Sequence, residues 1–152
     1  FCRRRAGLGP GAGRAVVSAD FAATPVHRWL GMRLLARSAL RVVVEQPVTQ
    51  DMLQETGVVQ GGLLTALADT AAVYLLWPDL GPDRTMIGTS CTVQFLAAAR
   101  FGDGPLVAVA TPLRVGATLA VCESEVRQGD RLCAKGTFTF LLRAGSRPST
   151  GS

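Results

Sequence analysis

The segment Gly57–Ala72 reads GVVQGGLLTALADTAA, and the rest of the chain falls into place around it. A glycine pair, Gly61-Gly62, opens an apolar run from Leu63 to Leu76. Between Glu55 and Asp79 the one charged residue is Asp69. The length of the run, and its content of Leu and Ala, predict a buried helix rather than a strand. Glycines at its start let backbone N–H groups be approached closely. The helix N-terminus adds partial positive charge there, so an anion, or a carbonyl becoming one, is stabilised at that end. A lone carboxylate in an apolar helix is paired, neutral or functional, because burying a bare charge is costly. Gly61 and Asp69 are therefore the first candidates for chemistry.

Upstream, residues 1–19 are expected to be a disordered leader, rich in Gly and Arg through Val16 and without a secretory h-region. A folded domain is expected over 20–143, and a Gly/Ser/Pro-rich tail over 144–152. Phe21–Leu30 reads as a short helix, with Thr24 as cap, Pro25 at the first helical position and Gly31 as terminator. The only histidine, His27, falls in its first turn and reads as a surface residue. Met32–Gln46 reads as one long strand or as a hairpin turning at Ser38–Leu40, and Pro47 stops it. Gln50–Val59 is a polar loop leading into the central helix.

Downstream of Trp77-Pro78 and the turn Gly81-Pro82-Asp83, the periodicity becomes that of strands. These are Thr85–Ala97, Pro105–Thr111, Thr118–Arg127 and Arg131–Arg143, with turns at Phe101–Gly104, Pro112–Gly116 and Gln128–Asp130. The last turn fits either a two-residue or a three-residue loop. In neither register do Cys122 and Cys133 come opposite, which argues against a disulfide between them. Short turns mean antiparallel neighbours. The order strand region, long apolar helix, then four strands implies an α+β domain with an antiparallel sheet wrapped around one helix.

A chain of 152 residues with 48% hydrophobic content suits one domain with a proper core. The net charge of +5 is concentrated at the ends. With Arg3, Arg4, Arg5, Arg14, Arg143 and Arg147 set aside, 10 basic residues face 11 acids, so the body is near neutral and nucleic acid is not the expected partner. The four cysteines form no CxxC pair and no His cluster accompanies them, so no metal site is expected. Free thiols in a reducing cytoplasm are the expected state. The apolar run is too short for a membrane span, so no membrane association is expected.

These residues resemble a known family. The element order looks like the hotdog fold. GVVQGGLLTALADTAA is similar to the G-x-x-H-G-G-x-x-x-x-L-x-D-x-x region of acyl-CoA thioesterases of the phenylacetate-degradation type. The strand Thr89–Ala98, with Val93-Gln94-Phe95-Leu96-Ala97-Ala98, resembles that family's v-x-[FY]-L-x-P-a strand. The likeness covers residues 24–143. It implies that the Gly61 N–H polarises the thioester carbonyl and that Asp69 is nucleophile or general base. Gln54 falls where the family places Asn or Gln near the carboxylate or the attacking water. Gln60 replaces the family's usual His, and its amide donates a hydrogen bond but does not titrate near neutral pH. Gly88 stands where relatives carry a Ser, for which Thr89 or Ser90 is the candidate substitute, with Gly62 beside them as a substrate contact. No cofactor is implied. The implied partner is an acyl- or aryl-CoA.

Gly61 and Asp69 are eight residues apart, roughly 12 Å along a helix, too far for one thioester carbonyl to touch both. Two such helices packed antiparallel across a two-fold axis bring the glycine of one copy to the aspartate of the other, so a homodimer or dimer of dimers with shared sites is expected. Against these stand plainer readings: Asp69 hydrogen-bonded to Thr65, Gly61-Gly62 as a tight turn, Arg100 and Arg114 solvated rather than meeting phosphates, and Met52, Trp77 and Phe95 as core. The alternative function is an acyl-CoA-binding hotdog protein that has lost turnover, with a dehydratase third because its usual His is missing.

Overall fold

The computed structural model describes residues 20–145, so the leader and all but the start of the tail lie outside the described residues. A short helix, α1 (Pro25–Trp29), leads into strands β1 (Arg33–Arg37) and β2 (Val42–Gln46). A 3₁₀ turn (Gln50–Met52) then precedes the long helix α2 (Gly61–Leu76). After a second 3₁₀ turn (Trp77–Asp79) come β3 (Arg84–Phe95), β4 (Leu106–Val115), β5 (Leu119–Gln128) and β6 (Arg131–Ala144). The strands form one six-stranded sheet in the order β1-β2-β4-β5-β6-β3, every pairing antiparallel.

One stripe of α2 meets the sheet. Leu64, Leu67, Ala68, Ala71, Ala72, Leu75 and Leu76 are buried, the i, i+3, i+4, i+7 spacing of a single helical face. Alanines on that stripe let the sheet approach closely, where Val42, Val44, Ala108, Ala110, Cys122, Phe138 and Phe140 complete the core. The sheet covers only this side. Gly62 and Asp69 lie exposed on the opposite face, with Thr65, Ala66 and Val73 half-buried beside them. Arg37 ties down the helix end, its Nε donating to the Tyr74 carbonyl at 3.0 Å while a guanidinium nitrogen pairs with Asp79 at 2.7 Å.

Met32–Gln46 resolves into the hairpin. The Ser38 hydroxyl accepts from the N–H groups of Leu40 and Arg41 and so closes the turn. The β5–β6 loop has two residues, since Gln128 faces Arg131, and Gly129 supplies the required positive φ of 57°. Cys91, Cys122 and Cys133 are free thiols, and burial pushes Cys122 up to about 11.

Three expectations are corrected. β4 does not stop at Thr111 but runs through Pro112 to Val115. Its neighbour β2 ends opposite Ala110, so Pro112 has a ladder on one side only and sits at a bulge, where a missing N–H is tolerated. His27 is not on the surface. It is 6% exposed, stacked on Phe21 at 4.2 Å and edge-on to Tyr74 at 5.5 Å, with Nδ1 2.9 Å from the Phe21 carbonyl. Arg143, set aside with the ends in the charge count, lies within β6 as the strand pattern expects, so the 10 basic residues of the body become 11, level with its 11 acids.

Candidate active site

Gly61 is the first residue of α2, with Gln60 as its N-cap. Helix geometry leaves N–H groups of this first turn without an intrahelical acceptor. The Gln60 N–H is tied to the Met52 carbonyl at 2.9 Å, which anchors the preceding loop. A groove of 420 Å³ opens here, lined by Gln54, Val58, Val59, Gly61, Leu64 and the segment Phe95–Ala99. The Phe95 ring stands over Gly61: a Cβ added to the glycine would come within 3.2 Å of it. Glycine therefore keeps this approach open. Phe95 is 58% exposed, a groove wall and not core, and Trp77 also lines a groove, whereas Met52 is buried as core.

Asp69 projects from the open face two turns further on. It lines a second groove, of 580 Å³, with Gly62, Thr65, Ala66, Gly88, Thr89, Ser90, Cys91, Phe138 and Phe140. A contiguous lobe of 400 Å³ adds Thr24, His27, Val73, Tyr74, Trp77 and Met86 around the same aspartate. Thr65 does not hold the carboxylate, because its hydroxyl donates back to the Gly61 carbonyl at 3.3 Å. Although Asp69 is reachable by solvent, the apolar walls around it push its carboxyl above the usual carboxylate range, with no partner to offset them. Burial likewise holds His27 below the usual imidazole range, opposed by its bond to the Phe21 carbonyl. With Nδ1 committed to that carbonyl, Nε2 is the nitrogen left without a hydrogen-bond partner among the described residues, on a ring that lines the lobe.

The candidate residues thus divide. Gln54 and Gly61 line the first groove, and Gly62, Asp69, Thr89 and Ser90 the second. Gln60 lines neither; it is exposed, and its side chain makes no capping bond. The Gln54 amide donates to the Thr56 hydroxyl at 3.0 Å and is not beside its own chain's carboxylate.

A β-bulge shapes the second groove. Gly88 pairs with Phe140 and Ser90 with Thr139, leaving Thr89 as the extra residue, its hydroxyl donating to the Thr139 carbonyl at 3.2 Å. Bulges re-aim side chains beside active sites. By register Gly88 and Cys91, opposite the buried Phe140 and Phe138, belong to the helix-facing side of β3, whereas Ser90 belongs to the outer side with Thr139. Cys91 and the His27–Tyr74 lobe were missed in the sequence. A glycine inside a β-branched strand, here Gly88 beside Thr89, is the signal that marks such a bulge. Among the described residues no group of His, Cys, Asp and Glu could hold a metal ion, and no helix is long and apolar enough to cross a membrane.

A curled antiparallel sheet on one helix, with a glycine at the helix start and a desolvated aspartate on its open face, defines a hotdog thioesterase architecture. The thioesterase superfamily profile matches residues 56–135, and the chain belongs to that family. It is a hydrolase of acyl thioesters. A Deinococcus radiodurans protein named for a suspected esterase activity is 40% identical over 101 residues, 66% of each chain. Among solved structures, AziG of S. sahachiroi is similar at 29% identity and a TM-score of 0.74, covering 82% of this chain and 98% of that one. The Escherichia coli PaaI protein of the phenylacetic acid degradation operon shares the fold, with a TM-score of 0.78 at 24% identity over 88% of this chain and 95% of that one.

Proposed function

We propose that the protein hydrolyses acyl- or aryl-CoA thioesters at sites shared between two copies of the chain. The observation that carries this is the separation of the parts. Gly61 and Asp69 open into different grooves of one chain, eight residues apart on one helix, roughly 12 Å along its axis. A second copy packed antiparallel on the open face of α2 brings its Asp69 to this Gly61. Edge strand β3 supports the same junction: none of its 12 residues is buried, and Ile87 and Phe95 are 46% and 58% exposed.

In such a site the thioester oxygen sits at the start of α2, where a backbone N–H of Gly61 and the helix field stabilise charge on it. Asp69 of the other copy takes a proton from water as its oxygen attacks the carbonyl carbon. The tetrahedral intermediate collapses, the C–S bond breaks, and the proton passes to the departing thiolate. The products are a carboxylic acid and a thiol, with no redox change. Gln54, on the glycine side of the junction, is placed to orient the water or the partner's carboxylate. Thr89 and Gly62 border the substrate on the aspartate side. The larger aspartate groove and its lobe, walled by Val73, Trp77, Met86 and Phe140, suit the acyl group.

The test is complementation between Asp69→Ala and Gly61→Val. Each variant alone breaks both sites of its homodimer. A mixed dimer has one site with both defects and one with neither. Random pairing makes about half the dimers mixed, so thiol release from a panel of acyl-CoA substrates should recover to roughly a quarter of the parent's. Recovery absent in mixed dimers whose formation has been verified would rule the shared site out.

A further inference from the structure

We propose that Arg100 is the phosphate contact for the carrier end of the substrate, at the outer lip of the Gly61 groove. This rests on the reading that the substrate is a coenzyme A thioester. The segment Phe95–Ala99 forms one wall of that groove, and Arg100 is the next residue. Arg100 bridges Val58 in antiparallel fashion, and Val58 lines the groove from the other wall. Directly opposed residues of an antiparallel bridge share a face. Arg100 is therefore paired across the groove mouth with Val58 and follows directly on Ala98 and Ala99, all three groove-lining, and is itself exposed.

The backbone at Arg100 is held from both sides by one buried side chain. Gln128, 3% exposed, accepts from the Arg100 N–H at 2.8 Å and donates to the Arg100 carbonyl at 2.7 Å and the Gly104 carbonyl at 2.8 Å. The same amide oxygen also accepts from the Arg131 guanidinium at 3.0 Å, and this buried hub fixes where the Arg100 side chain begins. The guanidinium itself has no protein partner among the described residues. The acid nearest in sequence, Asp103, is taken by Arg131 at 2.7 Å.

The other arginines do not compete for this role. Arg33, Arg37, Arg127 and Arg131 are paired with carboxylates, and Arg84 donates to the Ala117 carbonyl. Arg28, Arg41, Arg114 and Arg143 have no side-chain partner among the described residues, but they lie toward the opposite end of the sheet. Arg41 precedes Val42 opposite Ala110, Arg114 faces Val121, and Arg143 faces Thr85, whereas Gln128 and Phe95 mark the Arg100 end. Arg28 is on α1, next to His27, which stacks near the far end of α2. A thioester carbonyl at Gly61 with its acyl group toward Asp69 leaves the thiol arm to run outward past Val58 and Ala98. A fixed, always-charged planar donor at that exit matches a phosphate with two parallel hydrogen bonds.

The experiment compares carriers with and without phosphates in Arg100→Gln and Arg100→Lys. Binding of free coenzyme A and of pantetheine is measured by calorimetry, and KM is measured for one acyl group on each carrier. Arg100→Gln should weaken coenzyme A binding, and raise KM for the coenzyme A thioester, by about tenfold, while pantetheine and its thioester are unaffected. Arg100→Lys should recover part of the loss, and the parent's coenzyme A affinity should fall with salt more steeply than the Gln variant's. Equal effects on both carriers, or none on coenzyme A binding, would overturn the assignment. Because binding is read without turnover, a parent that binds coenzyme A but hydrolyses neither thioester refutes the catalytic reading and leaves this one to stand or fall on Arg100→Gln.

Discussion

The two edges of the sheet are built differently. β1 is five residues long and carries Arg33 and Arg37, both in ion pairs. Short, charged edges resist pairing with another chain. β3 is 12 residues long, carries no charge after Arg84, and exposes Ile87 and Phe95. An edge left long and undefended is one that a second copy covers, or else it is an aggregation hazard. The same strand carries the Gly88–Thr89 bulge and the groove beside Asp69. The difference teaches that the charged, short edge lies away from the groove of Asp69 and the long, uncharged edge lies beside it, as the proposed shared site requires.

The strongest way to probe the β3 side is at the aspartate it borders. Asp69→Asn should lower kcat by roughly two to four orders of magnitude, since the amide is nearly isosteric but cannot take a proton. The acid limb of the parent's pH–rate profile should lie above the ordinary carboxylate range and vanish in the variant. The same change should raise Tm at neutral pH. A carboxyl whose folded pKa is raised is most favourable when protonated, and its cost appears as pH rises through that pKa. An unchanged kcat would make Asp69 structural.

Next in size is the edge itself. Thr92→Lys with Gln94→Lys puts four positive charges into any junction of two β3 strands. It should shift sedimentation toward the monomer and lower activity by roughly a hundredfold, because half of each site is misplaced. Leu35→Lys on β1, at a position already 46% exposed, should change neither quantity. If the β1 variant behaves like the β3 variant, the contrast between the edges has no functional meaning.

Gln60→His should act more weakly, by less than about tenfold, since Gln60 lines neither groove of its own chain. It should raise turnover or add a titration in the imidazole range to the pH–rate profile. A profile and kcat identical to the parent's would put this side chain outside the reacting centre.

The smallest effect is on stability and concerns the far end of the helix. His27 has a lowered folded pKa, so the unfolded chain binds its proton first. Stability is full above the unfolded value of about 6.5 and falls as pH drops below it, with a slope of at most about 1.4 kcal/mol per pH unit for one proton. Urea unfolding across that range should show this slope in the parent and a shallower one in His27→Gln.

The sequence alone determined α2, most of the strand order and the two residues, Gly61 and Asp69, on which the proposed site rests. A sixteen-residue apolar helix and β-branched alternation are local signals, set by side-chain period and turn chemistry. Where local propensity was overruled, a neighbouring element was the cause. Pro112 continues β4 because β2 has already ended beside it, and His27 is buried because Phe21 and Tyr74 close over it. The bulge at Thr89 also needed the β6 partner to define it, since a bulge is a mismatch between two strands and not a property of one.

Only the tertiary structure decided which candidates share a groove. Gln54 joins Gly61, Thr89 joins Asp69, Gln60 joins neither, and Phe95 moves from core to groove wall. It also decided that the sheet covers one stripe of α2 and leaves the aspartate's face open. Sequence spacing measures distance along a helix. Which side of that helix is filled, and by what, depends on strands that meet it from up to seventy residues away, as Phe138 meets the groove of Asp69. Packing of that range is not written in any one segment.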